Sequence, residues 1–249
     1  MKIGLALGGG AVLGAAHVGV FKALAEKNIS IDSITGTSIG AFVGALFAFG
    51  KTWEDMEKIA AELNWIDITA VSLSRYGLLS NKKLGNLIIK HIGDKNIEDA
   101  DIDLAIVATN ASTGEKVVFD KGSVVTAVLA STCIPGIFMP IETQDYMLVD
   151  GGVVENVPIR TLKERGAEYL IGINLNAKHS YKKPENILDV ILNSFHFIMK
   201  NATSPQIEDA DLLIQPDLSD FNHSDMNQIK KLIEKGYEAA SESLQDFEV

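Results

Sequence analysis

The chain has 249 residues, 47% of them hydrophobic, and its 33 acidic against 22 basic side chains give a formal net charge of −11. That length and apolar content are enough to bury a substantial core. The acidic excess argues against a nucleic-acid binder, whose affinity rests on Lys and Arg, and against strongly anionic membrane surfaces.

The run KIGLALG (2–8) predicts a buried strand. Its apolar core is too short for a signal peptide and ends in glycines. Residues 14–27 predict a helix with Val18, Phe21, Leu24 and Ala25 on one face. IDSITGTS (31–38) predicts a second strand, and a helix follows from Ile39 to about Phe49. That helix is apolar nearly all round, which places it centrally in the core. Thr52 and Asp55 form a capping box before WEDMEKIAAELN. Residues 65–80 are irregular yet apolar, and 81–93 predict a helix. Buried strands are expected over 102–111, 146–150 and 167–175, with 115–120 as a hairpin or edge partner of the sheet and 123–131 as a helix. Helices over 184–201 and 223–246 end the chain, with a strand over 210–216 between them. Alternating strands and helices predict a layered α/β fold with a mostly parallel central sheet flanked by helices. The longest apolar run, IGAFVGALFAFG (39–50), is shorter than the about 20 residues a bilayer span needs. The expectation is a soluble, cytoplasmic chain with a single domain over 1–249. One cysteine, Cys133, leaves no intramolecular disulfide and no multi-cysteine zinc site, and it fits a reducing compartment.

Two glycine motifs follow the first two strands. In GGGAVLGAAH (8–17), glycines at a strand-to-helix turn leave backbone N–H groups uncovered, and such groups stabilise negative charge. A phosphate-binding P-loop is not matched, because Gly14 is followed by Ala15 and Ala16 rather than Lys-Ser/Thr. A dinucleotide fingerprint is not matched either: Leu13 stands where its third glycine belongs, and the second strand ends in GTSIG rather than in an acid for a ribose. Gly36-Thr37-Ser38-Ile39-Gly40 lies between a strand and a helix, the context of a G-x-S-x-G nucleophile elbow. An α/β-hydrolase triad does not fit. Only two strands precede Ser38, and the oxyanion loop would lie directly after the first.

Four blocks in order, GGGAVLGAAHVGV (8–20), GTSIGA (36–41), ASTCIPGIFMP (130–140) and DGGVVENVP (150–158), make the sequence similar to the patatin-like phospholipases. GEKVVFDKG (114–122) and IEKGYEAASESL (233–244) extend the likeness over nearly the whole chain. The resemblance implies a three-layer patatin-like fold and a Ser-Asp dyad. Ser38 matches the nucleophile, Asp150 the base, and Gly8, Gly9 and Gly10 the oxyanion loop, with the Ile39 N–H as a further donor. Gly36, Gly40, Gly151 and Gly152 are the motif glycines. Asp150 ends an apolar strand before two glycines, so another backbone can approach it, and desolvation there would raise its pKa toward that of a general base.

The implied reaction is hydrolysis of a lipid or other acyl ester through an acyl-enzyme, with no metal and no cofactor. A thioesterase or small-ester esterase on the same dyad, and a non-catalytic lipid-binding member, are the alternatives. Any membrane contact is expected to be transient and through an apolar lip. The histidines His17, His91, His179, His196 and His223 have no context that marks a catalytic base, and Cys133 lacks an elbow and reads as a small buried residue. Two positions depart from the family pattern. Leu13 stands where members usually carry Arg or Lys, which weakens the case for a phosphorylated headgroup, and Ser80 stands where they often carry glycine.

Overall fold

The computed structural model describes residues 1–62, 70–71, 79–143, 146–178, 183–185, 187–223 and 225–247. In chain order, β1 (Ile3–Leu7) leads through a 3-10 turn (Ala11–Gly14) into α1 (Ala15–Glu26). Then come β2 (Ser33–Thr37), α2 (Ile39–Ala48) and α3 (Trp53–Glu62). A short ribbon of β3 (Ala70–Val71) and β4 (Leu79–Ser80) precedes α4 (Lys82–Ile92). Next are β5 (Asp103–Asn110), β6 (Lys116–Phe119), α5 (Val124–Ser131), β7 (Ile141–Glu142) and β8 (Met147–Asp150). α6 (Ile159–Glu164), β9 (Tyr169–Ile173), α7 (Ile187–Gln206), β10 (Leu212–Ile214) and α8 (Ile229–Ser243) follow.

The main sheet has the order β10-β9-β1-β2-β5-β8-β7, with β6 also pairing to β5. The run from β10 to β5 is parallel, while β6, β8 and β7 are antiparallel additions on one side. The predicted mostly parallel α/β sheet is therefore observed, with 115–120 as the hairpin partner of β5.

Alternation along β1 sets the layers. Leu5 and Leu7 enter the main core with Phe21 of α1, Phe42 of α2 and Leu232 of α8. Ala6 points the other way, into a smaller core with Ile159 and Leu162 of α6. Helices thus cover both faces of the sheet. α1 and α8 cross closely at two glycines: a Cβ on Gly19 would lie 1.9 Å from the Ile233 carbonyl oxygen, and one on Gly236 would lie 1.9 Å from that of Ala16.

Two expectations shift at their edges, and the edge strand β7 was not expected. α7 runs to Gln206 rather than stopping at 201, with Pro205 inside its last turn. A proline that late removes only a terminal backbone bond. The final helix begins as a 3-10 turn at Met226–Gln228, where the Asp225 side chain accepts the Asn227 N–H at 2.9 Å. β7 is a two-residue edge, too short for periodicity to reveal. Of the stretch 65–80, only 70–71 and 79–80 fall among the described residues, and His179 falls outside them.

Candidate active site

Ser38 sits between the last residue of β2 and the first of α2, with φ 55° and ψ −126°. A non-glycine residue with positive φ and that ψ is strained. The surrounding structure has to hold it there. Gly36 and Gly40 allow the sharp corner, because a Cβ on Gly36 would lie 2.6 Å from Ala41 Cα and one on Gly40 would lie 2.2 Å from the Leu7 carbonyl oxygen. The Ser38 N–H donates to Ser131 Oγ at 2.8 Å, and Ser131 Oγ donates to the Val107 carbonyl at 2.6 Å. The last turn of α5 is thereby tied to the elbow and to β5. α2 points its N-terminus at Ser38, which favours negative charge developing there.

Asp150 reaches the same place from the other side of β5. Val107 of β5 pairs with Thr37 of β2, and the next residue, Ala108, pairs with Asp150 of β8. Beyond Asp150 the chain turns across the end of β5. A Cβ on Gly151 would lie 2.2 Å from the Val107 carbonyl oxygen and 3.2 Å from Thr37 Cγ2, so only glycine fits that crossing. The segment is pinned by the Asp150 N–H to the Cys133 carbonyl at 2.8 Å and by Thr109 Oγ1 to the Asp150 carbonyl at 2.9 Å. The threonines of β2 complete the fastening, Thr37 Oγ1 donating to the Glu155 carbonyl at 2.8 Å and Thr35 Oγ1 to that of Pro158 at 2.9 Å.

The Asp150 side chain is fully buried. Burial pushes its carboxyl up to about 7, against the opposing pull of the Ser38 hydroxyl and the Gly152 N–H. Oδ1 accepts the Gly152 N–H at 2.8 Å, while the buried Oδ2 has no hydrogen bond of good geometry among the described residues. The Ser38 hydroxyl therefore faces the carboxyl closely enough to influence it without completing an ideal bond, a contact of the kind that tightens on substrate binding.

The glycine loop lies directly against the serine: a Cβ on Gly9 would sit 3.0 Å from Ser38 Cβ. Not all of its N–H groups are free to meet a ligand. Gly8 N–H donates to the Ile173 carbonyl at 3.1 Å, and Gly9 N–H is shared between the Asn156 carbonyl at 3.4 Å and Asn156 Oδ1 at 3.2 Å. The N–H groups of Gly10, Ala11 and Ile39 have no acceptor among the described residues. The expected four-donor set thus divides into two that brace the loop, Gly8 and Gly9, and two that stay open, Gly10 and Ile39. Ala11, at φ 51°, adds a third open donor that sequence reasoning did not name.

Buried polar side chains hold the loop. His17 Nε2 donates to the Gly8 carbonyl at 2.8 Å, and Asn176 Nδ2 donates to the Gly9 carbonyl at 2.8 Å. Burial lowers the His17 pKa to about 4, so this histidine is neutral, and its Nδ1 is buried without a partner among the described residues. His223 supports the same network through its Nε2, 3.3 Å from Asn176 Oδ1, and its carbonyl, which accepts the Val12 N–H at 3.1 Å. Ser131 and Asn156 lie inside the sequence blocks above without any individual signal, and His17, set aside as a catalytic base, is a brace of the loop. Asn176 just follows the predicted strand 167–175 and carries no sequence signal.

Leu13 is fully buried in the main core, and its N–H closes the loop onto the Gly10 carbonyl at 3.1 Å. The loop is therefore held without a basic side chain at that position. Cys133 is buried, with Sγ 3.0 Å from the Leu129 carbonyl and 2.9 Å from that of Met139. Burial first, and the charge of Asp150 second, push its thiol up to about 12, which keeps it un-ionised.

Beside Ser38 opens an apolar cavity of about 110 Å³. One face of α2, Ile39, Phe42, Val43 and Leu46, lines it, with Met56, Ile59 and Ala60 of α3 opposite. No helix among the described residues is long and apolar enough to cross a membrane.

These features define a three-layer α/β protein in which a strained serine at a G-x-S-x-G corner faces a buried aspartate. The chain belongs to the patatin-like phospholipase family, whose model matches residues 5–163. An uncharacterized NTE family protein of Mycobacterium bovis is 32% identical over 181 residues, covering 72% of this chain and 50% of that protein. The lysophospholipase nte1 of Emericella nidulans is 35% identical over 184 residues, covering 70% of this chain and 12% of that protein. The chain thus spans half or less of the length of these relatives. Among solved structures, VipD from Legionella pneumophila superposes with a TM-score of 0.57 at 16% identity, covering 98% of this chain and 67% of that one. ExoU in its complex with SpcU from Pseudomonas aeruginosa gives 0.54 at 15% identity, covering 98% of this chain and 51% of that one. At such identities the two structures share the fold.

Proposed function

We propose that the chain hydrolyses carboxylic esters of lipids, with Ser38 as nucleophile and Asp150 as general base. The observation that carries this reading is the strained Ser38 facing a fully buried carboxyl whose pKa burial raises to about 7. A carboxylate tuned to that range accepts a proton at neutral pH far better than an ordinary aspartate near 3.9. Ser38 Oγ attacks the ester carbonyl as its proton passes to Asp150. The oxyanion lies against the open N–H groups of Gly10 and Ile39, with Ala11 beside them. Collapse of the intermediate expels the alcohol, which takes the proton from Asp150. Asp150 then draws a proton from water as the water attacks the acyl-enzyme, and that proton returns to Ser38 as the acid leaves.

Family membership and the Emericella relative, a lysophospholipase, support a lipid ester as substrate. The apolar cavity beside Ser38 supports an acyl chain over a small polar acyl group. The test is turnover of a lysophospholipid and of p-nitrophenyl esters by the wild type, Ser38→Ala and Asp150→Asn. Hydrolysis by the wild type alone is expected. Equal hydrolysis by Asp150→Asn would remove the dyad.

A further inference from the structure

The two peptide planes of Gly8-Gly9-Gly10 are fastened differently. In the plane between Gly8 and Gly9, both polar groups are taken up. The Gly8 carbonyl accepts His17 Nε2 at 2.8 Å, and the Gly9 N–H is shared by two oxygens of Asn156. In the plane between Gly9 and Gly10, the carbonyl accepts Asn176 Nδ2 at 2.8 Å, and the N–H has no acceptor among the described residues. Asn176 supplies the one hydrogen bond on the Gly9 carbonyl among the described residues. The plane that carries the open Ala11 N–H is instead held by backbone, its Gly10 carbonyl accepting the Leu13 N–H at 3.1 Å.

A peptide unit is planar, and in its trans form the C=O and N–H point in opposite directions. Whatever fixes the Gly9 carbonyl therefore fixes the Gly10 N–H as well. Turning this plane over needs changes only in ψ of Gly9 and φ of Gly10, and two glycines offer little steric resistance. From this we infer that Asn176 is a positioning residue: by holding the Gly9 carbonyl, its amide aims the Gly10 N–H at the oxyanion. The inference rests on the hydrolase reading for the oxyanion, while the fastening of the plane does not. The direction of the Asn176 amide is itself fixed by its neighbours. A carbonyl can only accept, so Nδ2 faces Gly9, and Oδ1 accepts His223 Nε2 at 3.3 Å. The Asn176 N–H donates to Asn174 Oδ1 at 3.1 Å, just beyond β9. Asn176 is buried, and the His223 ring stacks on that of buried His196 in α7, with centroids 4.1 Å apart. Donation thus runs in one line from His223 through Asn176 to Gly9.

Three variants of the intact protein test this, with thermal unfolding confirming that each folds. Asn176→Leu removes the donor at similar volume. It should lower kcat for a p-nitrophenyl ester about 30- to 300-fold and leave KM within about two-fold. His223→Phe keeps a ring against His196 and removes the donor to Asn176 Oδ1, so the amide is no longer held in one direction. Its kcat should fall about three- to ten-fold, the range of one lost hydrogen bond. His223→Gln keeps an N–H donor and should return kcat to within about two-fold of the wild type. The His223 pair carries the test even where Asn176→Leu does not fold. An alkyl trifluoromethyl ketone reads the oxyanion directly: Ser38 Oγ bonds to its carbonyl carbon, the serine proton passes to Asp150, and the carbonyl oxygen becomes the anion. Its affinity should fall in proportion to kcat/KM across the variants. A rise in KM alone would overturn the assignment, as would folded variants whose kcat and ketone affinity stay within about two-fold of the wild type. Amide spectra of protein labelled with ¹⁵N-glycine need no turnover. The Gly10 resonance should move or broaden in Asn176→Leu and His223→Phe, while those of Gly114 in the β5–β6 hairpin and Gly166 after α6 stay in place. Such shifts in a protein that hydrolyses no ester and takes up no ketone would support the fastening and overturn the hydrolase reading alone. An unmoved Gly10 resonance would overturn the positioning role whatever the turnover.

Discussion

The hydroxyl of Ser131 lies 2.8 Å from the amide nitrogen of Ser38, and among the described residues it is the one side chain that holds the strained corner by its backbone. It also donates to the Val107 carbonyl at 2.6 Å, so the elbow, β5 and α5 are tied together. Ser131 is a positioning residue, distinct from the groups proposed to meet the substrate.

Ser131→Ala should leave the Ser38 amide and the Val107 carbonyl buried without this partner, at about 1–3 kcal/mol. If that strain is released at the elbow, kcat should fall about 10- to 100-fold while KM changes less than about two-fold. Ser131→Thr keeps the hydroxyl and should recover much of the loss. Steady-state kinetics on the three proteins decide it. A rise in KM alone would assign Ser131 to substrate binding instead.

The pH dependence follows from Asp150. On the proposed dyad the ionised carboxylate is the base, so kcat/KM should rise through about pH 7 and stay flat above it. Stability should run the other way. The folded pKa lies above the unfolded one near 3.9, so the neutral carboxyl stabilises the fold fully below about pH 4. That contribution is lost as the pH climbs through about 7. Melting temperatures measured across this window should show the decline in the wild type and a flatter slope in Asp150→Asn. An activity inflection near 4 would indicate an exposed, unperturbed base.

Leu13→Arg should lower stability and leave turnover no higher. Leu13 is fully buried, and the loop around it is fastened by Asn156, Asn176 and His17 without its side chain. An unpaired guanidinium in that core costs about 3–5 kcal/mol. Denaturant unfolding beside ester turnover checks both halves. A large gain in hydrolysis would mean that the oxyanion loop lacks a basic support.

Gly236→Ala tests the frame rather than the site. Its Cβ would meet the Ala16 carbonyl oxygen at 1.9 Å, so α8 must move off α1. The expected loss is about 1–3 kcal/mol, read as a lower melting temperature. Because the clash is with backbone, adding Ala16→Gly should give no rescue. Restoration by that second change would place the conflict between side chains.

Much of this was legible beforehand because local chemistry and tertiary role coincide. Ser38 is flanked by glycines where a strand meets a helix, and Asp150 ends an apolar strand before two more. The layers followed from apolar alternation such as that of Leu5, Ala6 and Leu7. The bracing of the glycine loop was not legible. Asn176 touches Gly9 across 167 residues of sequence, and no local pattern marks such a pairing. The division of labour among the loop amides was hidden for the same reason, since Gly8 and Gly9 are occupied by acceptors at Ile173 and Asn156. Nor could the antiparallel placement of β8 be read. That placement depends on which strand β5 pairs with, and the apolar run at 146–150 is compatible with either direction.

The most direct measurement is intact-mass and peptide mapping after treatment with a fluorophosphonate, which phosphonylates activated serines with loss of fluoride. One adduct per chain is expected, on Ser38, absent in Ser38→Ala and slowed at least about 100-fold in Asp150→Asn. Folded wild-type protein that takes up no probe, or takes it up on a serine other than Ser38, would contradict the dyad at the centre of this reading.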